Sequence, residues 1–322
     1  MILVTGGLGF VGPNTARALL DLGQNCVLTR RHGTRVPAFL EDDLGKRVFV
    51  ERLDLADRGG LLELGERHRI DGIVHLAAEV FDGAAPLEYV KLSSETLFNV
   101  LDAAQQWAVG RVCLASTIGV YAGAFDQPSP LSEDLPLPLA ASAPLSIPTV
   151  KRSAELLASF VGARADFEVI NMRFSAIWGP LGRKQSPFFI APAMIHAAVS
   201  GRAAEFDPRQ QNRYAADGID LCYVKDCARA VALLQTRGTL AHTTYNVGSG
   251  RATSNAELLA AIAEHVPGAR PTLSEGRDPN GPGGDTYLDI GRLQRDTGYQ
   301  PEYTTDRAVA DYITWLRAGN DR

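Results

Sequence analysis

Sulfur and aromatic residues are sparse in this chain: four cysteines, three methionines and 7% Phe, Trp and Tyr among 322 residues. Cys26, Cys113, Cys222 and Cys227 lack the paired short spacings of a zinc site, so no metal is expected. Most of them stand in apolar runs such as Cys26-Val27-Leu28, which reads as ordinary buried thiols in a reducing compartment. No run of 18 apolar residues occurs, which argues against a membrane span. The opening Met1-Ile2-Leu3-Val4 has neither a basic leader nor a long apolar one, so a cytoplasmic location is expected. A basic excess is missing too. Lys and Arg number 32 against 37 Asp and Glu, a net charge of −5, and nothing in that balance recruits a phosphodiester backbone or a membrane surface. No repeat of fixed period is visible. What is present is an ordinary globular mixture, 45% hydrophobic and 21% charged, long enough for about two domains or one large core with an appended lobe.

Short β-rich runs alternate with segments of helical spacing. Ile2 to Val4, Cys26 to Thr29, Val48 to Val50, Gly72 to Leu76, Val112 to Ala115 and Glu168 to Met172 read as parallel strands. Between them, patterns such as Leu97-Val100-Leu101-Ala104 read as crossover helices. This alternation predicts an α/β fold with a Rossmann-type doubly wound parallel sheet. Residues 1–175 would form the dinucleotide-binding domain, with 215–250 returning to it, and 176–322 mainly a smaller C-terminal substrate lobe. Residues 122–148, with six prolines, predict a long loop over a site, and 267–285 a second irregular segment.

The first strand runs directly into Thr5-Gly6-Gly7-Leu8-Gly9-Phe10-Val11-Gly12, followed by a helical pattern. Glycines at 6, 9 and 12 suit a tight turn, close backbone approach to a pyrophosphate, and helix-on-strand packing. The turn from Gly6 through Phe10 and Val11 to Gly12 is therefore the expected phosphate cradle. After the second strand, where a carboxylate would bind an adenosine ribose, stand Thr29-Arg30-Arg31-His32. Guanidinium groups there favour NADP over the alternative NAD, unless they are merely two solvated surface arginines.

From these residues the chain resembles the extended short-chain dehydrogenases/reductases, often labelled NAD-dependent epimerase/dehydratase, over nearly its whole length. Further matches follow in order: Asp54-Leu55, resembling the adenine contact; His75-Leu76-Ala77-Ala78 lining the cofactor; Asn99; Ser116-Thr117 with Val120-Tyr121; and Lys151. Trp178-Gly179-Pro180, Tyr223-Val224-Lys225-Asp226, Asn246-Val247-Gly248 and Gly298-Tyr299-Gln300-Pro301 match later landmarks. The resemblance implies hydride transfer at a carbinol carbon of a hydroxylated or keto small molecule. In that scheme a tyrosine is acid/base, a lysine four residues later holds the ribose, and Ser or Thr binds the reacting oxygen.

The tyrosine position holds Ile147, in Ile147-Pro148-Thr149-Val150-Lys151. Lys151 keeps the ribose role, Thr117 is expected to bind the substrate oxygen, and Glu79 is the candidate replacement base, with water as the other. Tyr121 and His75 read as structural. Pro148 predicts a helix starting at residue 148, with Ile147 just outside it. Ile118-Gly119 replaces the Asp-Glu typical of 4,6-dehydratases, and Ala176 and Ile219 stand where nucleotide-sugar enzymes often carry Asn and Arg. Arg277 and Arg213 could grip a pyrophosphate or be surface arginines. The expected enzyme is an oxidoreductase or epimerase; the alternatives are a cofactor-binding regulator and a tyrosine-independent lyase or decarboxylase. The resemblance also implies a homodimer through helices near 87–107 and 148–163, where Ala154, Leu157, Ala158 and Val161 form an apolar stripe that an intrachain core would equally explain.

Overall fold

A computed structural model describes residues 1–33, 35–79, 85–125, 127, 129–138, 146–207, 213–269, 273–279, 281 and 284–320. Along the chain run β1 (Ile2–Thr5), α1 (Gly12–Asp21), β2 (Cys26–Arg30), α2 (Ala38–Glu41), β3 (Val48–Arg52), α3 (Arg58–Arg67), β4 (Gly72–His75), α4 (Pro86–Gln106) and β5 (Arg111–Thr117). A single 3-10 turn, Ile118–Tyr121, then precedes α5 (Ser146–Gly162), β6 (Glu168–Phe174), β7 (Ala176–Trp178), α6 (Ala191–Ser200), β8 (Gly218–Ile219), β9 (Leu221–Tyr223) and α7 (Val224–Thr236). The chain closes with β10 (Thr244–Val247), β11 (Thr253–Ser254), α8 (Asn255–His265), α9 (Gly291–Thr297) and α10 (Thr305–Arg317).

Seven parallel strands form one sheet in the order β10-β6-β5-β4-β1-β2-β3. Side chains alternate across a strand, so each strand feeds two cores. Leu3, Val27, Ile73, Val112 and Val169 point to one face, with Leu97, Val100 and Leu101 of α4 over them. Val4, Leu28, Val74, Cys113 and Ile170 point to the other, covered by Leu19 of α1 and Val231 of α7. Burial on both faces explains why these strands read as continuous apolar runs. A third cluster gathers Trp178, Met194, Ile195, Ile262, Val309 and Tyr312 from β7, α6, α8 and α10. The chain leaves β1 toward β2 and β3, then jumps back to β4 on the other side of β1, with Thr5 in register with His75. A crevice opens where the strand order reverses, at the carboxyl ends of β1 and β4.

The sheet is the doubly wound one expected, and its strands run one or two residues past most of the expected ends, β4 alone among the six stopping one short, at His75. Helix α5 differs from expectation: it starts at Ser146, so Ile147 lies inside its first turn and Pro148 is buried. First-turn N–H groups have no intrahelical acceptor, so proline costs no hydrogen bond there, and its preference against a preceding helical residue is overruled by packing. The stripe on α5 divides. Ala158 is buried and Ala154 and Val161 are packed against the sheet-side core, whereas Leu156, Leu157 and Phe160 are exposed. The two irregular segments meet where the Ser129 hydroxyl donates to the Asp285 carbonyl at 2.9 Å, and just beyond the second the Leu131 N–H donates to the Tyr287 carbonyl at 2.8 Å and the Asp289 N–H to the Leu131 carbonyl at 2.9 Å. Residues 139–145 of the first lie outside the described residues. All four cysteines are buried thiols, and burial pushes Cys26 and Cys113 up to about 12. No helix among the described residues is long and apolar enough to cross a membrane.

Candidate active site

A cleft of about 740 Å³ opens at the strand-order reversal, lined on one side by Gly6, Gly9, Phe10, Val11 and Gly12. Gly6 sits at φ +64°, the left-handed region that glycine enters without a Cβ penalty. The Gly9 N–H donates to the Gly6 carbonyl at 2.9 Å, closing the turn. A Cβ on Gly12 would fall 2.6 Å from the Gly7 carbonyl oxygen, so only glycine lets α1 begin this close to the turn. The N-cap, Val11, offers no side-chain cap, which leaves the first-turn N–H groups of α1 for an outside acceptor. These features fit a dinucleotide pyrophosphate at a helix N-terminus.

Arg30, Arg31, Asp54, Leu55, Leu76, Ala77, Ala78, Glu79 and Lys151 line the same cleft. Asn99 of α4 donates to the Leu55 carbonyl at 2.9 Å and so holds the turn after β3 in place. Arg30 donates to the Gly33 carbonyl at 2.6 Å. Arg31 and Glu79 form a two-pronged pair, Nη1 to Oε1 at 2.9 Å and Nη2 to Oε2 at 3.2 Å. The carboxylate expected to serve as a base is thus committed to a guanidinium on the β2 side of the cleft.

At the other end, His75 Nδ1 lies 2.8 Å from Thr5 Oγ1, which also accepts the Ala77 N–H at 3.2 Å. Burial, reinforced by the Lys151 cation, lowers His75 to about 3. Lys151 is itself lowered to about 8 by burial, partly opposed by Glu155 one turn along α5. Glu155 is buried, accepts from the Ser116 hydroxyl, and takes Arg173 Nη2 at 2.7 Å. Arg173 also donates to the Tyr121 hydroxyl at 2.9 Å, and that hydroxyl donates to Asn246 Oδ1 at 2.9 Å. Tyr121 is therefore consumed by a buried network, and burial raises its phenol.

Ser116 lines the cleft, whereas Thr117, the residue expected to bind the substrate oxygen, is not among the lining side chains; its Oγ1, at the last position of β5, accepts the Gly119 N–H at 3.1 Å. Ile147 is 42% exposed. No tyrosine lines the cleft among the described residues. Arg277 pairs with Asp285 at 2.6 Å, and Arg213 donates to the Asp207 carbonyl at 2.8 Å; neither lines the cleft. Its far side is built instead from Trp178, Gly179, Arg183, Gln185 and Phe188, which follow β6. Glu155 and Arg183 were not singled out from the sequence. Glu155 had one signal, its spacing of one helical turn from Lys151; Arg183 had only its place three residues past Pro180.

The NAD dependent epimerase/dehydratase family model matches residues 2–248. A dTDP-glucose 4,6-dehydratase of Streptomyces griseus is 27% identical, over 98% of this chain and 93% of its own. A UDP-glucuronate 4-epimerase of Thermodesulfobacterium geofontis is 24% identical, over 98% and 95%. The structure of UDP-glucose 4-epimerase from Stenotrophomonas maltophila, with bound NAD and a formylated UDP-arabinopyranose, superimposes with a TM-score of 0.83 at 22% identity, covering 99% of this chain and 98% of the other. The chain belongs to the NAD dependent epimerase/dehydratase family, the extended short-chain dehydrogenases/reductases, and is a nicotinamide-dependent enzyme of that family with isoleucine at the phenol position.

Proposed function

We propose that the protein is an NAD(P)-dependent oxidoreductase or epimerase acting on a hydroxylated or keto sugar-like molecule, with Lys151 as both ribose ligand and proton carrier. The observation that carries this reading is the placement of the Lys151 ammonium in a cleft where no described tyrosine stands. Bound nicotinamide supplies hydride acceptance and donation. An amine lowered to about 8 is neutral in roughly a tenth of molecules at pH 7, so Lys151 can take the hydroxyl proton as an alcohol becomes a carbonyl and return it on reduction. Ser116, with its proton given to Glu155, presents lone pairs to a substrate hydroxyl. Thr117, accepting from Gly119 just behind Ser116, holds the end of β5 in place. Glu79 then serves cofactor choice rather than proton transfer: Arg30 and Arg31 favour NADP(H), and Glu79 sets how much of Arg31 a 2′-phosphate can claim.

Relatives named for nucleotide sugars make those compounds the first substrates to screen. Purified protein with either cofactor, followed by reduced-nicotinamide absorbance and product NMR, is expected to turn over at least one of them. Lys151→Met should lose about 10²-fold or more. The oxidative rate should rise with pH through about 8, because the base form is needed, while the reductive rate falls over the same interval. Unchanged turnover in Lys151→Met would remove the proton role. Cofactor binding without turnover on a broad panel would favour the second reading that Ile147 supports, a cofactor-binding regulator.

The homodimer is also part of this reading. Leu87, Val90 and Phe98 of α4 and Leu156, Leu157 and Phe160 of the adjacent α5 are exposed at helical spacing, an apolar face that a second copy would cover.

A further inference from the structure

A second cavity, of about 520 Å³, lies between α1, α2, α7 and α10 and is lined by none of the cofactor-cleft residues. Its size is that of a small-molecule site. Three aromatic side chains, Phe39, Tyr303 and Trp315, share its walls with charged groups of α1 and α7. Phe39 and Trp315 stand with ring centroids 6.2 Å apart at an interplanar angle of 59°. Tyr303 also lines the cavity, its ring packed on Tyr223 at 4.7 Å with the Arg307 guanidinium over it at 4.2 Å.

The polar group in this setting is Asn14. The residue is 6% exposed, lines the cavity, and its Nδ2 has no hydrogen-bond partner among the described residues. A buried amide donor without an acceptor carries a desolvation cost that an incoming acceptor would remove. The cations at the rim are already matched. Arg17 pairs with Asp21 at 2.8 Å and Asp43 at 2.9 Å, Lys225 with Asp311 at 2.7 Å, and Arg229 with Asp226 at 3.2 Å and Glu302 at 3.3 Å. A polyphosphate or sulfate would have to break these pairs, so charge does not select the occupant. Ring stacking and one acceptor do.

We infer that this cavity binds a planar heteroaromatic ligand of the nucleobase class, stacked on one of the two rings, Phe39 or Trp315, with the other tilted against its edge, and accepting a hydrogen bond from Asn14 Nδ2. Stacking of a base on aromatic side chains tolerates any base, whereas the amide requires a ring carbonyl or ring nitrogen. The site adjoins the cofactor cleft through one turn: Pro180 lines the cavity while Gly179 and Gly182 line the cleft.

Ligand-observed NMR and calorimetry on the full chain, with the cofactor cleft filled by excess NADPH or NADH, test the inference with adenine, cytosine and uracil as probes and toluene as a flat control without an acceptor. At least one base is expected to bind at millimolar concentration, and toluene to bind more weakly. Asn14→Leu, similar in volume but without the donor, should weaken the base about fivefold, the equivalent of one hydrogen bond. Ala18→Phe, which fills the cavity from a half-buried position on α1, should abolish binding, and it carries the test alone if Asn14→Leu fails to fold. No binding by any base, binding unchanged in Ala18→Phe, or toluene binding as tightly as the bases would each overturn the assignment.

Discussion

His75 is an imidazole whose surroundings disfavour a second proton. It is buried, hydrogen-bonded to Thr5 and faced by the Lys151 cation, and its pKa falls from 6.5 to about 3. The unfolded chain therefore binds more protons than the folded one between those values, and stability declines as pH falls from 6.5 toward 3, by an amount on the order of several kcal/mol. In His75→Gln this part of the acid loss should vanish, so its denaturant midpoint should change less between pH 6.5 and 4 than that of the parent; equal slopes would show that other groups set the acid limit. Arg31 and Glu79 make a different prediction. Glu79→Gln leaves the guanidinium uncompensated, so the ratio of NADPH to NADH affinity should rise severalfold, and Arg30→Ala with Arg31→Ala should lower it by about tenfold. Fluorescence titration with both coenzymes reads the ratio directly. A ratio indifferent to all three substitutions would leave the two arginines as surface charge.

At the scale of elements, the end of α4 carries a removable strain. Ala108 follows the helix at φ +53°, exposed, with its N–H donating to the Gln105 carbonyl at 3.2 Å while the Val109 N–H reaches back to Ala104 at 3.1 Å. This is the left-handed closing residue that glycine normally supplies. Ala108→Gly should stabilise the protein by about 0.5–1 kcal/mol, the relief of the left-handed penalty less the added freedom of the unfolded chain. Chemical denaturation measures it, and an unchanged or lower midpoint would count against the geometry. The start of α5 shows why an element boundary was harder to place than an element. Pro148 is compatible with several first-turn positions, and it is the packing of its ring beside Gly119, where a Cβ would lie 3.1 Å from Pro148 Cγ, that accompanies a start two residues earlier.

For the whole molecule, the exposed apolar faces of α4 and α5 give the proposed dimer its test. Leu156→Glu with Phe160→Glu should yield a monomer by sedimentation without loss of folding, because Leu156 is 75% and Phe160 59% exposed in the single chain. A dimer that survives both charges must use another surface. The sequence by itself determined the alternating sheet and the glycine cradle, because both are written in neighbouring residues: continuous apolar strands at regular intervals, and three glycines between the first strand and its helix. Through the family resemblance it also exposed the missing phenol, since the position four residues before Lys151 can be read locally as Ile147. Only the tertiary structure decided that Arg31 holds Glu79 across 48 residues, that Ser116 and Arg173 meet on Glu155, and that Asn14 near the start shares a cavity with Trp315 near the end. Such partners are chosen by how helices stack on the two faces of one sheet, and no periodicity along the chain encodes which distant side chains that stacking brings within reach.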